Sequence, residues 1–402
     1  MRTFVGFGFG PIQAGLFLLE AHRAGAYDRL VVAEIMPELV ASVRAAGGQC
    51  AVNVAMPDGI VTTTVPNVVM LNPREPADRA ALVDAIADAS ELATALPSVK
   101  VFGGASPADA ASVLADGLRR KRERGGPRAV LYAAENHNHA AELLEAAVRA
   151  AGGDPESCAF LNTVIGKMSG VVSEPEAMRA QGLAPMVPDG SRAFLVEAFN
   201  RILISRVPWP DFRRGLAVFE EKADLLPFEE AKLYGHNAVH ALVGYRLRRR
   251  GARTMAEAAA DPGLMQFARE AFLKESGAAL CRKYGGVDPL FTTAGFRLYA
   301  EDLLVRMLNP HLRDAVERVT RDPQRKLGWN DRLVGTMRLV MAQGLTPTRF
   351  ARGARDALTA LDPTITDDGL AAALTTIWGR EAAEDPRREE VIQLIKEVPN
   401  EH

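Results

Sequence analysis

In the first half of the chain, apolar residues gather in short runs separated by longer amphipathic windows. Runs at residues 3–6, 30–34, 60–65, 92–96 and 129–134 predict strands, and windows at 11–24, 78–91, 107–121 and 139–151 predict helices. Strands that alternate with helices imply a mostly parallel sheet covered on its faces. Residues 1–190 are therefore expected to form an α/β domain of Rossmann-like build. Beyond residue 190 the strand-like runs fade. Helical windows follow at 192–206, 228–250, 254–260, 263–284, 295–307, 310–321, 331–342 and 347–359, with short polar or Gly/Pro punctuation. That texture predicts an all-helical C-terminal domain over 191–402, ending in a charged surface helix at 381–401.

Composition removes several function classes. With 48% apolar residues there is ample material for a core, which argues against extended disorder. Lys plus Arg is 48 and Asp plus Glu is 50, so the net charge of −2 provides no basic field for nucleic acid or for an acidic membrane surface. Cys50, Cys158 and Cys281 form no C-x-x-C pair, which excludes a zinc ribbon, and so sparse a set fits a reducing cytoplasm. No apolar run reaches the ~18 residues of a membrane span. The N-terminal stretch superficially resembles a signal peptide, but Gly6, Gly8, Gly10, Pro11 and Gln13 interrupt it, and Glu20, His22 and Arg23 follow.

Gly8-Phe9-Gly10-Pro11-Ile12-Gln13 lies between the first strand and the first helix. Gly8 suits a tight turn, Gly10 lets the backbone approach a pyrophosphate, and Pro11 fits a first helical position. The helix N-terminus offers unpaired N–H groups to that anion. Gln13 replaces the third glycine of G-x-G-x-x-G. Glu34 ends the second strand, where a carboxylate accepts from adenosine ribose hydroxyls and repels a 2′-phosphate, so NAD is expected over NADP. Arg44, nearby in sequence, could soften that preference. An FAD or SAM site, or a plain glycine turn with a strand-end Glu, would leave the same traces.

The densest chemistry is Glu230-Ala-Lys232-Leu-Tyr-Gly-His236-Asn237-Ala-Val-His240. At about 100° per residue, with Lys232 at zero, His236 falls near 40°, His240 near 80° and Asn237 near 140°. Oxidising an alcohol needs a base and donors for the developing alkoxide. A desolvated lysine can be that base, asparagine amides can hold the oxyanion, and histidine can orient a hydroxyl. A solvated helix face would carry the same residues by chance.

These residues also carry a likeness. The pattern K-x4-N-x2-H is met by Lys232, Asn237 and His240, and the chain resembles the polyol-specific long-chain dehydrogenases, the mannitol dehydrogenase family. Further matching blocks are Gly8-Phe-Gly10, Thr94-Ala95-Leu96-Pro97, Glu135-Asn136, Asn162-Thr163, Glu275-Ser276-Gly277, Arg282-Lys283-Tyr284-Gly285, Asn309-Pro310-His311-Leu312 and the stretch from Pro323 to Leu333. The resemblance implies a reversible, zinc-independent, NAD-dependent enzyme with its active site between two domains. It places the general base on Lys232, the carbonyl-polarising amides on Asn162 and Asn237, and substrate orientation on His240. It puts Thr94, Glu135 and Asn136 with Gly8, Gly10, Pro11, Ile12, Gln13 and Glu34 on the cofactor. Members closest in pattern interconvert D-mannitol 1-phosphate and D-fructose 6-phosphate. Two departures stand out: Gln13 where that branch usually has glycine, and Gly166-Lys167 where the family often shows Asp-Arg.

A substrate phosphate would need cations. Arg325 and Lys326, as a pair, are the expected donors, with Arg332, Arg192 and Lys167 as further candidates, while His236 is expected to be structural or in the substrate pocket. His137 and His139 have metal-pair spacing but no companions, so no metal site is expected, and they are read as loop residues near the nicotinamide end or as helix-capping groups. The leading expectation is an NAD-dependent polyol-phosphate dehydrogenase, as a monomer or small homo-oligomer. A dehydrogenase of a free polyol or hexonate is the alternative, followed by an inactive nucleotide-binding regulatory protein.

Overall fold

The computed structural model describes residues 2–103 and 106–399, and the chain divides into two compact units, Met1–Leu225 and Leu226–His402. Among the described residues, the first unit holds twelve strands in two sheets. The strands are β1 (Thr3–Phe7), β2 (Arg29–Ala33), β3 (Cys50–Met56), β4 (Gly59–Val65), β5 (Val68–Leu71), β6 (Ala89–Thr94), β7 (Ala129–Ala133), β8 (Cys158–Val164), β9 (Ser169–Val172), β10 (Ala193–Glu197), β11 (Ile202–Ser205) and β12 (Phe219–Lys222). The larger sheet runs β12-β11-β8-β7-β6-β1-β2-β5, parallel from β5 through β8. If the β3–β4 hairpin is set aside, the order β5-β2-β1-β6-β7-β8 is the doubly wound order 3-2-1-4-5-6. Its switch point lies between β1 and β6, where such sheets bind ligands beyond the strand C-termini.

The expected parallel sheet is present, but a second sheet was not expected. The order β4-β3-β10-β9 joins an antiparallel hairpin to two later strands. Residues 60–65, expected in the parallel sheet, form β4 of this second one. The window 192–206, expected as a helix, is instead β10 and β11. Every residue of β10 is buried, and a fully buried strand shows no alternation that would separate it from a helix. With β10, β11 and β12 included, the first unit reaches Leu225 rather than residue 190.

The first helix opens as a π-helical segment, Gln13–Leu18, and continues as Leu19–Ala24. All of Gln13–Leu18 is buried, as befits a helix covered on both sides. A Cβ at Gly15 would fall 2.4 Å from Val196 of β10, so the helix backbone lies directly on the second sheet. On its other side Gln13 solves the missing-glycine problem. A Cβ at Gly6 of β1 would fall 2.2 Å from Gln13 Nε2, so the glutamine fills the space the strand glycine leaves. Both polar atoms of that amide are buried with no hydrogen-bond partner among the described residues. The opposite face of the large sheet is covered by Pro76–Asp88, Ala110–Glu123 and Ala140–Ala150, packed through Ile86, Leu114, Leu118 and Leu144.

The second unit is helical, as expected. One continuous helix comprises Leu226–Glu230, a π-helical turn Ala231–Asn237, and Ala238–Arg249. A capping box joins Thr254 and Glu257 at the next short helix. Residues 310–321, expected as one helix, break into Pro310–Leu312 and Val316–Thr320, and a helix at Asp367–Trp378 lies outside the expected set. The charged C-terminal helix is confined to Arg388–Glu397. No helix among the described residues is long and apolar enough to cross a membrane.

Candidate active site

In the first unit, the strand C-termini are stitched together one bond beyond the sheet. Gly8 N–H donates to Ala33 O, Ala95 N–H to Phe7 O, and Ala134 N–H to Thr94 O, each at 2.9 Å. The glycine turn is thereby set at the switch point. Gly8 has φ 81°, a left-handed conformation suited to glycine. A Cβ at Gly10 would meet nothing within 4 Å, so the backbone there faces open space. The Glu34 carboxylate accepts from Phe9 N–H at 2.8 Å and from Met36 N–H at 2.9 Å, which fixes it beside the turn. Open space at Gly10, a helix beginning after it and a pinned carboxylate at the end of β2 fit a dinucleotide. Arg44 is turned to Met70 O and Asp78, away from the softening role considered for it.

Glu135 is a strut. Its oxygens accept from Thr94 Oγ1 at 2.9 Å and Leu96 N–H at 2.8 Å, tying the ends of β6 and β7. Burial raises its pKa, against the pull of those donors. Asn136 follows it at an exposed position.

Asn162, on β8, has both ends of its amide engaged. Oδ1 accepts from Ala141 N–H and Nδ2 donates to Glu142 Oε2, both at 2.8 Å. It thus caps the helix Ala140–Ala150, a task that neither His137 nor His139 performs. Instead, His137 Nδ1 accepts from His139 N–H. Lys167 is buried and donates to the carbonyls of Glu197 and Phe199, which makes it a brace for the loop after β10.

In the second unit, the π-helical turn changes the geometry of the polar stripe. A wheel at α-helical pitch puts Asn237 far round from Lys232. The turn Ala231–Asn237 is wound with i→i+5 bonds, and residues five apart share a face. The x4 spacing between Lys232 and Asn237 is therefore one π turn. Thr336 Oγ1 reaches Tyr234 O at 3.4 Å, so the segment that begins the helix Val334–Ala342 is seated against this turn.

That seating brings Arg332 within electrostatic reach of Lys232. Burial, then Arg332, pull its pKa down to about 8, with Glu229 opposing. His236 is pushed well below its usual value by burial, then by His240, Arg306, Lys232 and Arg332. Lys326 is likewise lowered to about 8 by burial, then by Arg332 and Arg325. Its Nζ donates to Arg321 O. Arg325, expected as its partner, is 55% exposed and paired with Asp322. Arg332 is thus the cation common to Lys232, His236 and Lys326. His240 Nε2 lies 2.9 Å from Asp314 Oδ2, without the alignment of a hydrogen bond. Burial raises the Asp314 pKa, but His240 and Arg318 more than offset it.

Sequence reasoning missed Asp314 and Glu142. Asp314 follows the Asn309-to-Leu312 block by two residues and could have been sought there. Nothing in spacing connects Glu142 to Asn162. Among the described residues no group of three or more His, Cys, Asp or Glu side chains is placed to hold a metal ion.

Residues 224–357 match the mannitol dehydrogenase C-terminal domain. The chain is 31% identical over 379 residues to the mannitol-1-phosphate 5-dehydrogenase of Arthrobacter sp. (strain FB24), spanning 93% of this chain and 89% of that one. It is 30% identical to the corresponding enzyme of Paenarthrobacter aurescens (strain TC1), over 88% and 85%. Among solved structures, D-sorbitol dehydrogenase in substrate-free form superposes with a TM-score of 0.77 at 15% identity, covering 98% of this chain and 92% of that one. Pseudomonas fluorescens mannitol 2-dehydrogenase, solved as a ternary complex with NAD and D-mannitol, gives 0.70 at 15%, over 98% and 90%. The structural likeness carries the fold, and the identity over nearly whole chains carries the kinship: the chain belongs to the mannitol dehydrogenase family.

Proposed function

We propose that this chain is an NAD-dependent dehydrogenase that interconverts a sugar-alcohol phosphate and its ketose phosphate, with D-mannitol 1-phosphate and D-fructose 6-phosphate as the pair. The observation that carries this reading is a half-buried amine, Lys232, whose pKa is drawn down to about 8 one π turn before the amide of Asn237. In the oxidation direction, neutral Lys232 takes the proton of the reacting hydroxyl. The amides of Asn162 and Asn237 donate to the developing alkoxide, and they do so without titrating. His240, held by Asp314, orients an adjacent hydroxyl. NAD would supply the hydride acceptor when bound. Gly8, Gly10, Pro11 and Ile12 offer it backbone, and Glu34 offers its carboxylate to the ribose. Gln13, Thr94 and Glu135 act from behind, by packing the helix and fixing the strand ends. Arg332 with Lys326 supplies the positive charge for the phosphate.

The second reading is a dehydrogenase of an unphosphorylated polyol. Its support is that Lys326 already donates to the Arg321 carbonyl and Arg325 is paired on the surface. A substrate panel with NAD separates the two. D-Fructose 6-phosphate is expected to exceed D-fructose in kcat/KM by at least about a hundredfold, the worth of one or two charge-assisted bonds. Equal values would replace the first reading with the second.

A further inference from the structure

We propose that Glu142 is a positioning residue that sets the direction in which Asn162 donates, an inference that rests on the role given to Asn162 above. A side-chain amide is nearly symmetric in shape, and it can flip unless its two ends meet different partners. Here they do. Ala141 N–H can only donate, and it meets Oδ1. Glu142 Oε2 accepts, and it meets Nδ2. A flip would set a carbonyl oxygen against a carboxylate and an N–H against an N–H, replacing two attractive contacts with two repulsive ones.

The geometry then does more than cap a helix. Nδ2 carries two hydrogens. With one given to Glu142, the amide plane is fixed at both ends, and the second N–H has one direction. A donor whose direction is fixed in advance stabilises a developing oxyanion without reorganising during the reaction. Asn162 is anchored from below by register as well, opposite Ala133 of β7. Glu142 itself is exposed on the first turn of Ala140–Ala150, so its truncation leaves no buried charge. A purely structural role would appear as lost helix stability, because an acidic residue in the first turn favours the helix dipole. A positioning role appears in turnover.

The test uses the full chain with Glu142→Ala, Glu142→Gln, Asn162→Ala and the double variant Glu142→Ala/Asn162→Ala. The readouts are kcat for D-fructose 6-phosphate reduction, NADH affinity and Tm. Glu142→Ala is expected to lower kcat about tenfold, less than the ~100-fold or more of losing the donor itself. NADH affinity should hold. Glu142→Gln should recover kcat to within about threefold, since its amide oxygen accepts the same bond. The double variant should be no slower than Asn162→Ala. Parent-like kcat in Glu142→Ala, no recovery in Glu142→Gln, or a double variant as slow as the product of the singles would each overturn the proposal. Parent-like kcat in Asn162→Ala would remove the role of Asn162 and this inference with it. A slow Asn162→Ala beside a fast Glu142→Ala would remove Glu142 alone.

Discussion

A lysine is a base only after it has lost its proton, and the surroundings of Lys232 move that event from 10.5 to about 8. The sign for the reaction follows. On the role proposed for Lys232, oxidation needs the neutral amine, so kcat/KM for D-mannitol 1-phosphate should rise tenfold per pH unit below about 8 and level off above it. Reduction needs the ammonium as acid, so its kcat/KM should be level below about 8 and fall above. Lys232→Ala should lose at least about a hundredfold in kcat and show neither limb, with NADH affinity unchanged, because the base is not part of the nucleotide turn. A pH profile in that variant identical to the parent's would assign the titration to another group. At this scale the sequence places Lys232, Asn237 and His240 on one helix, and the structure has them there. The sequence was silent where a partner comes from a distant segment, as Asp314 does for His240 and Glu142 for Asn162. The pair expected to hold a phosphate is separated for the same reason. Arg325 and Lys326 are neighbours in the chain, but Asp322 holds one at the surface while packing buries the other.

Helical pitch is the property of the element that matters most here. The stripe was read at one pitch throughout, yet Ala231–Asn237 is wound more loosely. Removing one residue from a π-helical turn returns it to α-helical register. Deletion of Gly235 should leave the helix formed, with Tm within a few degrees of the parent. It should also keep Asn237 and His240 on the face of Lys232, because four residues at α-helical pitch cover nearly the same arc as five at the wider one, and hold kcat within about tenfold of the parent. Thermal melts and steady-state kinetics check the two halves separately. A loss of about a hundredfold or more in kcat with an unchanged Tm would show that the face shared by Lys232 and Asn237 is not set by pitch in this way. Strands were legible wherever a run was short and bounded, as at β1, β2 and β7. They were not legible at β10, because burial on both faces erases alternation, nor was the second sheet, because its strands are scattered between residues 50 and 197.

Across the whole molecule, three lysines, 121, 232 and 326, have pKa values lowered to about 8. Between about 8 and 10.5 the unfolded chain binds more protons at these sites than the folded one, so they make stability rise with pH across that window. Lys121 is the structural member. Its Nζ donates to Ala87 O, Ala89 O and Pro127 O, gathering the end of one helix and the start of β6 and β7. Lys121→Met should cost about 2 kcal/mol at pH 7 through the orphaned carbonyls. Its denaturation midpoint should climb less than the parent's from pH 8 to pH 10. An equal climb would place the linkage elsewhere.

Gln13 and Gly6 form a matched pair whose members cannot change in arbitrary order. A side chain at position 6 has room only after the glutamine has shortened, whereas a shortened residue at 13 first leaves a hole beside a strand glycine. Any mutational path between this arrangement and the three-glycine fingerprint must therefore cross a poorly packed step, with the helix altered before the strand. A lineage that has settled on either side is held there by packing, independently of which nucleotide it binds.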